Sequence, residues 1–111
     1  MSEFVYLYRG QPMSPRSPEE TQKSMSRWMA WFAELEKGGH LKDRGQPLEG
    51  TGKVVRSTKS VTDGPFVEAK DVVGGFTIVS AKNVGEAADL TKGCPILENG
   101  GSVEVRPIMK M

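Results

Sequence analysis

One long amphipathic helix is the feature that most constrains how this chain folds. Ser17-Pro18-Glu19-Glu20 has the form of a helix start, because Ser17 can cap the first amides, proline is tolerated at the first helical position, and Glu20 completes a capping box. Glu36-Lys37-Gly38-Gly39 ends the helix with glycine. Between these signals, apolar residues recur every three or four positions. We expect them to form one buried stripe: Met25, Trp28, Met29, Phe32 and Leu35.

Short runs of β-branched and aromatic residues surround this helix and predict strands. Phe4–Tyr8 precedes it. Lys53–Arg56 and Ser60–Thr62 follow it and predict a hairpin-like excursion, since only polar residues separate them. Further strands are predicted at Gly75–Ser80 and at Ser102–Pro107, where Val alternates with charged residues.

A second, short helix is predicted between the last two strands. Asn83 can cap it and Glu86 stands three residues later, so the capping pattern of the first helix is repeated. We expect this helix to reach about Lys92. Its buried residues are predicted to be Val84, Ala87, Ala88 and Leu90. The resulting order, βαββαβ, is that of a ferredoxin-like α+β fold, an antiparallel sheet with both helices on one face.

Composition limits the class of protein. A chain of 111 residues suits one domain, residues 1–111. Fifteen basic and fourteen acidic residues give a net charge of +1, which provides no basic surface for nucleic acid or anionic membrane. No apolar run approaches the roughly 20 residues that span a bilayer. The lone Cys94 excludes an internal disulfide, and we expect a cytoplasmic protein.

Asp63, in the turn Asp63-Gly64-Pro65, is the first candidate for chemistry. A carboxylate at a loop mouth can act as a general base, whereas Asp before Gly also builds turns by accepting backbone N–H bonds. Glu68 and Lys70 stand at alternate positions, so both side chains would lie on one face of an extended segment. They form either an exposed ion pair or a frame for a small polar ligand.

His40 is the only histidine, so any imidazole chemistry depends on it. Its position after the first helix also suits a cation at the negative end of the helix dipole. Tyr6, Tyr8 and Arg9 on the first strand are secondary candidates for ligand contact. One histidine and one cysteine far apart do not make a metal site, and no phosphate loop or dinucleotide fingerprint is present. We therefore expect no metal and no cofactor.

Short matches along nearly the whole chain resemble one known family. They include Val5–Tyr8, Gly39-His40-Leu41, Gly45–Leu48, Asp63-Gly64-Pro65-Phe66 and Val103–Pro107. The chain resembles the YCII-related family, in the DGPF-domain branch named for the tetrapeptide. The resemblance implies a dimeric α+β barrel and a catalytic pair of histidine and aspartate, in which Asp63 would supply the aspartate.

The chain departs from that family in one respect. The family's usual histidine lies near the start of the first helix, where this sequence has Pro15-Arg16-Ser17. His40 is then the only residue that can supply an imidazole. The family itself has no settled activity, so the resemblance identifies the fold better than the reaction.

Two functions remain open from the sequence. The first is a small cofactor-independent enzyme or ligand-binding protein, with Asp63, Glu68 and Lys70 lining a pocket for proton transfer, elimination or isomerisation. The second is a non-catalytic regulatory module, because related domains occur fused to sigma-factor-like proteins. In a third reading, the DGPF loop only shapes the structure. Either function fits a homodimer, since a second copy would cover the bare face of the sheet.

Overall fold

The computed structural model describes residues 1–10, 17–64 and 72–111. Within these ranges, six strands and two α-helices follow one another in an α+β order. They are β1 (Ser2–Gly10), α1 (Pro18–Lys37), β2 (Leu41–Asp43), β3 (Gly52–Ser57), β4 (Ser60–Gly64), β5 (Val72–Ala81), α2 (Val84–Asp89) and β6 (Ser102–Pro107). Two short 3₁₀ turns, Leu90–Gly93 and Pro95–Asn99, connect α2 to β6.

Four of the strands form the main sheet, in the order β2-β5-β1-β6, with every neighbouring pair antiparallel. This is the ferredoxin-like order, with the hairpin β3–β4 inserted between the second and third strands of the sheet as a separate two-stranded unit. The predicted fold class and the predicted hairpin are both confirmed.

The alternation of side chains along β1 decides which face of the sheet is covered. Phe4, Tyr6 and Tyr8 are at most 7% exposed, whereas Val5 and Leu7 between them are only half-buried. Successive strand residues point to opposite faces, so the three aromatic residues share the face that the helices cover. β5 contributes its own alternate residues to that core: Thr77, Val79 and Ala81.

The start of α1 forms as predicted, but its buried stripe is rotated. The Ser17 hydroxyl accepts a hydrogen bond from the Glu20 amide at 3.2 Å. The residues in the core are Trp31, Phe32 and Leu35, and Trp28 is half-buried against them. Met25 and Met29, expected in the stripe, are 61% and 44% exposed.

The helix geometry explains this correction. At about 100° per residue, Met25 and Met29 lie roughly 70° and 110° around the helix from the centre of the buried residues. A spacing of three and four residues fits the predicted stripe, which includes Met29, and the observed stripe, which includes Trp31. These two residues extend the shared stripe on opposite sides. Packing against β1 selects the side that carries Trp31.

α2 is shorter than predicted. Its cap is confirmed, with the Asn83 side chain accepting from the Glu86 amide at 2.9 Å. The helix ends at Asp89, after which the chain tightens into 3₁₀ geometry. Ala87 is fully buried, but Val84 and Ala88, which were expected in the core, are exposed. A helix of six residues has fewer than two turns, so one position can point directly inward.

The chain after β2 stays close to the edge of the sheet. The Leu48 amide donates to the carbonyl of Gly74 at 2.9 Å, and Pro47 forms a bridge with Gly75. Gly45 begins this stretch with a φ of +74°, and a Cβ there would overlap the carbonyl of Phe76. Only glycine fits at this point. No helix in the described ranges has the length and apolar character needed to cross a membrane.

Candidate functional site

The two tyrosines suggested as ligand contacts lie in the core. The Tyr6 hydroxyl donates to the Ala87 carbonyl at 2.6 Å. The Tyr8 hydroxyl donates to Thr77 Oγ1 at 2.6 Å, and Thr77 in turn donates to the Arg44 carbonyl at 2.8 Å. Burial raises the pKa of both tyrosines well above the ordinary range. Their hydroxyl groups hold the strands to neighbouring segments, which favours a structural role.

Arg9 lies on the other face of the sheet, in an ionic cluster. Its Nη1 is 3.2 Å from Glu104 Oε1 on β6, and Arg106 Nε is 3.9 Å from the other carboxylate oxygen. The Arg9 side chain is 29% exposed. Arg9, a secondary candidate for ligand contact, is thus paired with a carboxylate of its own chain.

Asp63 lies near the end of β4, opposite Lys53 of β3. The two side chains form an ion pair across the hairpin, and the Asp63 side chain is 88% exposed. At this exposure the carboxylate is open to solvent rather than enclosed in a cleft. Glu68 and Lys70, the other residues predicted for this site, lie outside the described residues. The hairpin pairs Asp63 with Lys53, a contact that the sequence did not indicate.

His40 is held between the end of α1 and β5. Its amide donates to the Leu35 carbonyl at 2.9 Å, and its carbonyl accepts from the Ser80 amide at 2.7 Å. The imidazole Nδ1 lies 2.8 Å from the Ser80 carbonyl oxygen. A carbonyl can only accept, so Nδ1 carries the proton and Nε2 of the neutral ring is an unprotonated acceptor.

The second ring nitrogen of His40, Nε2, has no hydrogen-bond partner within the described part of the chain. No buried polar side-chain atom among these residues lacks a partner, which means that Nε2 reaches solvent. The half-buried imidazole therefore has one nitrogen fixed inside the structure and one available at the surface.

Charged groups of both signs lie at the same end of the sheet as His40. Ser80 pairs in register with Glu3 of β1, and Lys42 Nζ lies 3.8 Å from Glu3 Oε2. Lys42 follows His40 by two residues on the chain. This end of the sheet thus carries a proton acceptor, an ammonium group and a carboxylate. We call His40, Ser80, Lys42 and Glu3 the His40 site.

The sheet face away from the helices has an apolar centre. Val5 and Leu7 of β1 lie opposite Ile78 and Phe76 of β5, and all four are half-buried. The Arg9–Glu104 pair lies on the same face, since Glu104 is opposite Leu7. We call Val5, Leu7, Phe76 and Ile78 the open face, because both helices pack on the opposite side of the sheet.

Neither the aromatic residues of α1 nor Cys94 adds a further site. Trp31 is buried and donates from Nε1 to the Leu90 carbonyl at 3.0 Å. Cys94 is 2% exposed, and desolvation raises the pKa of its thiol to about 11, so it is a poor nucleophile. Among the described residues, no group of three or more potential metal ligands lies together.

The Ser80 contact is the part of the His40 site that the sequence could not indicate. It uses a backbone carbonyl, so no residue type marks it. Its only sequence signal is the uniqueness of His40, which singles out the imidazole but not its partner. Lys42 and Glu3 are ordinary surface residues in the sequence, and only the strand order brings them together.

Comparison with known proteins identifies the family of the chain. No curated protein matches the chain. The model of the YCII-related domain matches residues 3–111, almost the full length of the sequence. The chain therefore belongs to the YCII-related family.

Proposed function

We propose that this protein binds a small organic molecule and exchanges a proton with it through His40, without a cofactor. The hydrogen bond from Nδ1 to the Ser80 carbonyl carries this proposal, because it leaves Nε2 unprotonated and accessible to solvent. A positioned imidazole is the commonest general acid or base in enzymes. The reaction class is proton abstraction, leading to isomerisation or elimination.

The neighbouring charges suggest what the ligand carries. Lys42 can attract an anionic group, while Glu3 can accept a hydrogen bond from a hydroxyl or ammonium group. Both are more than 40% exposed, so their attraction is weak without further contacts. A small hydroxy acid satisfies both requirements.

Asp63 belongs to the proposal as a binding residue. It forms an ion pair with Lys53 on the hairpin, and in the sequence it precedes the segment that contains Glu68 and Lys70. The tetrapeptide Asp63-Gly64-Pro65-Phe66 also supports membership of the DGPF-domain branch. We place the protein in the cytoplasm, because its single cysteine is buried and unpaired.

The open face supports a homodimer as the working form. An apolar centre of four side chains beside an ionic cluster is the composition of a protein interface, with a dehydrated core and a polar rim. Two such faces would pack at about 10 Å, as sheets do in two-layer structures. A second copy supplies the same surface under two-fold symmetry.

A thermal-shift screen tests the ligand proposal. Wild type, His40→Asn and Asp63→Asn are compared against a library of small organic acids at fixed pH. The asparagine amide nitrogen takes the position of Nδ1, so it can still donate to the Ser80 carbonyl, but it cannot exchange a proton. We expect at least one compound to raise the melting temperature of wild type and to lose that effect in His40→Asn. Compounds that stabilise all three proteins equally would place the site elsewhere.

The regulatory module is the alternative outcome of the same screen. If no compound stabilises wild type while the three proteins melt alike, His40 and Asp63 are surface features. The search then turns to protein partners.

A further inference from the structure

Two adjacent glycines end α1, and the backbone explains only one of them. Gly39 has a φ of +77°, in the left-handed region that favours glycine. Gly38 has φ −79° and ψ −2°, a right-handed conformation open to any L-residue. Alanine would stabilise a helical position relative to glycine. The glycine at 38 therefore needs a reason other than its own dihedral angles.

That reason lies in the imidazole of His40. A Cβ at position 38 would lie 3.0 Å from His40 Cδ2 and 3.5 Å from Nε2, with the Glu34 carbonyl at 3.6 Å. The first distance is shorter than an ordinary contact between carbon atoms. A Cβ at position 39, by contrast, would meet nothing within 4 Å. A side chain at position 38 is therefore opposed by the lack of space beside His40, whereas a side chain at position 39 is opposed by the positive φ of the backbone.

The imidazole cannot easily move to make room. The amide and carbonyl of His40 are bonded to Leu35 and Ser80, and Nδ1 is bonded to the Ser80 carbonyl. A methyl group at position 38 would have to push the ring away from that carbonyl or cover the ring edge that carries Nε2. Either change would reduce the access of a proton donor to Nε2.

We propose that Gly38 is a positioning residue, which keeps the Nε2 edge of His40 open while the Ser80 carbonyl holds the ring as the Nδ1–H tautomer. The role of Gly38 toward a ligand rests on the proposed function and makes that function more specific. It names the atom that exchanges the proton and the residue that gives a ligand room to reach it. The ligand must present an acidic C–H, O–H or N–H group to Nε2.

Chemical modification of the imidazole tests this directly. His40 is the only histidine, so carbethoxylation by diethyl pyrocarbonate, followed by mass spectrometry of the histidine peptide, reports on one ring. Wild type, Gly38→Ala and Gly39→Ala are compared at about pH 8, where an ordinary imidazole is neutral. We expect Gly38→Ala to react about tenfold more slowly than wild type while its melting temperature is maintained.

The matched control is expected to behave in the opposite way. Gly39→Ala forces a left-handed backbone on alanine, so its melting temperature should fall. Its imidazole should nevertheless react at the wild-type rate, since a Cβ there approaches nothing. A purely structural glycine pair would give loss of stability in both variants and no selective change in reactivity.

¹⁵N spectroscopy of the imidazole provides the second readout. Wild type should show the neutral ring protonated at Nδ1 alone, and Gly38→Ala should show a mixture of tautomers or a changed Nδ1–H signal. The proposal is overturned if Gly38→Ala reacts as fast as wild type and its ring spectrum is unchanged. Neither measurement uses a ligand, so both results stand apart from the outcome of the thermal-shift screen.

Discussion

At the scale of single residues, polar side chains in the described part of the chain are either bonded internally or directed outward. Tyr6, Tyr8 and Trp31 each donate to an oxygen atom of another segment. His40 does both, because Nδ1 is bonded inside and Nε2 is not. This division is the physical basis for choosing His40 over the tyrosines as the chemical group.

Gly45 should tolerate no side chain. Its positive φ and the position of the Phe76 carbonyl mean that Gly45→Ala must strain the backbone and displace the edge of the sheet. We expect a loss of about 2 kcal/mol or more in the free energy of unfolding, measured by urea denaturation. Gly50→Ala is the matched control, because a Cβ there would meet nothing within 4 Å. Equal effects of the two substitutions would contradict the crowding described for Gly45.

Alkaline pH should destabilise the protein through its buried acids. The pKa of Cys94 is raised from 9.0 to about 11 by burial, and those of Tyr6 and Tyr8 are raised above 10.0. Above pH 9 the unfolded chain loses these protons first, so it binds fewer protons than the folded chain and stability falls as pH rises. Below pH 9 this contribution is fully present.

Urea denaturation between pH 7 and pH 11 measures the effect. For Cys94 alone, two pH units of separation correspond to about 2 kcal/mol lost between pH 9 and 11. Cys94→Ala should show a shallower decline than wild type over that interval. Parallel declines in the two proteins would mean that the thiol ionises equally in both states.

At the scale of secondary-structure elements, the capping residues predicted the helix starts better than the spacing of apolar residues predicted the buried face of α1. The caps at Ser17 and Asn83 form as expected, because each depends on a side chain and an amide three residues away. The buried side of α1 was predicted in part, and Met25 and Met29 were placed there wrongly. The choice between neighbouring stripes depends on which strand the helix packs against, and that is a long-range contact.

Trp31 should contribute much more to stability than Trp28. Trp31 is 4% exposed, stacks on Tyr6 at 6.0 Å between ring centroids and bonds to the Leu90 carbonyl. Trp31→Ala should cost about 3–5 kcal/mol in unfolding free energy, the range for large aromatic truncations in cores. Trp28 is half-buried, so Trp28→Ala should cost less than half as much.

Met25→Ala serves as the control for that comparison. This side chain is 61% exposed, so the change should be within about 0.5 kcal/mol of wild type. Chemical denaturation monitored by circular dichroism gives all three values. A ranking with Met25 or Trp28 above Trp31 would mean that α1 is rotated from the position described.

At the scale of the whole molecule, the fold class was predictable, whereas the edge strand β2, predicted as a long connection, and the candidate site were not. Alternating residues in β1, β5 and β6 and two capped helices were enough to predict the ferredoxin-like arrangement. The environment of Asp63 was not predictable, since Lys53 reaches it only through the register of the hairpin. The contact of His40 with Ser80 likewise depends on the pairing of the edge strand with β5.

The homodimer is a prediction about the whole molecule. Leu7 lies at the apolar centre of the open face, beside Glu104. Leu7→Glu would bury a like-charge pair in the proposed interface, which favours dissociation. Val55→Glu is the control, because Val55 is 66% exposed on the separate β3–β4 hairpin and is not one of the four residues of the open face.

Sedimentation equilibrium at micromolar concentration tests the homodimer most directly. We predict twice the 12.1 kDa chain mass for wild type and Val55→Glu, and the mass of a single chain for a folded Leu7→Glu. A wild-type protein that sediments as one chain of 12.1 kDa would contradict the proposal that a second copy covers the open face.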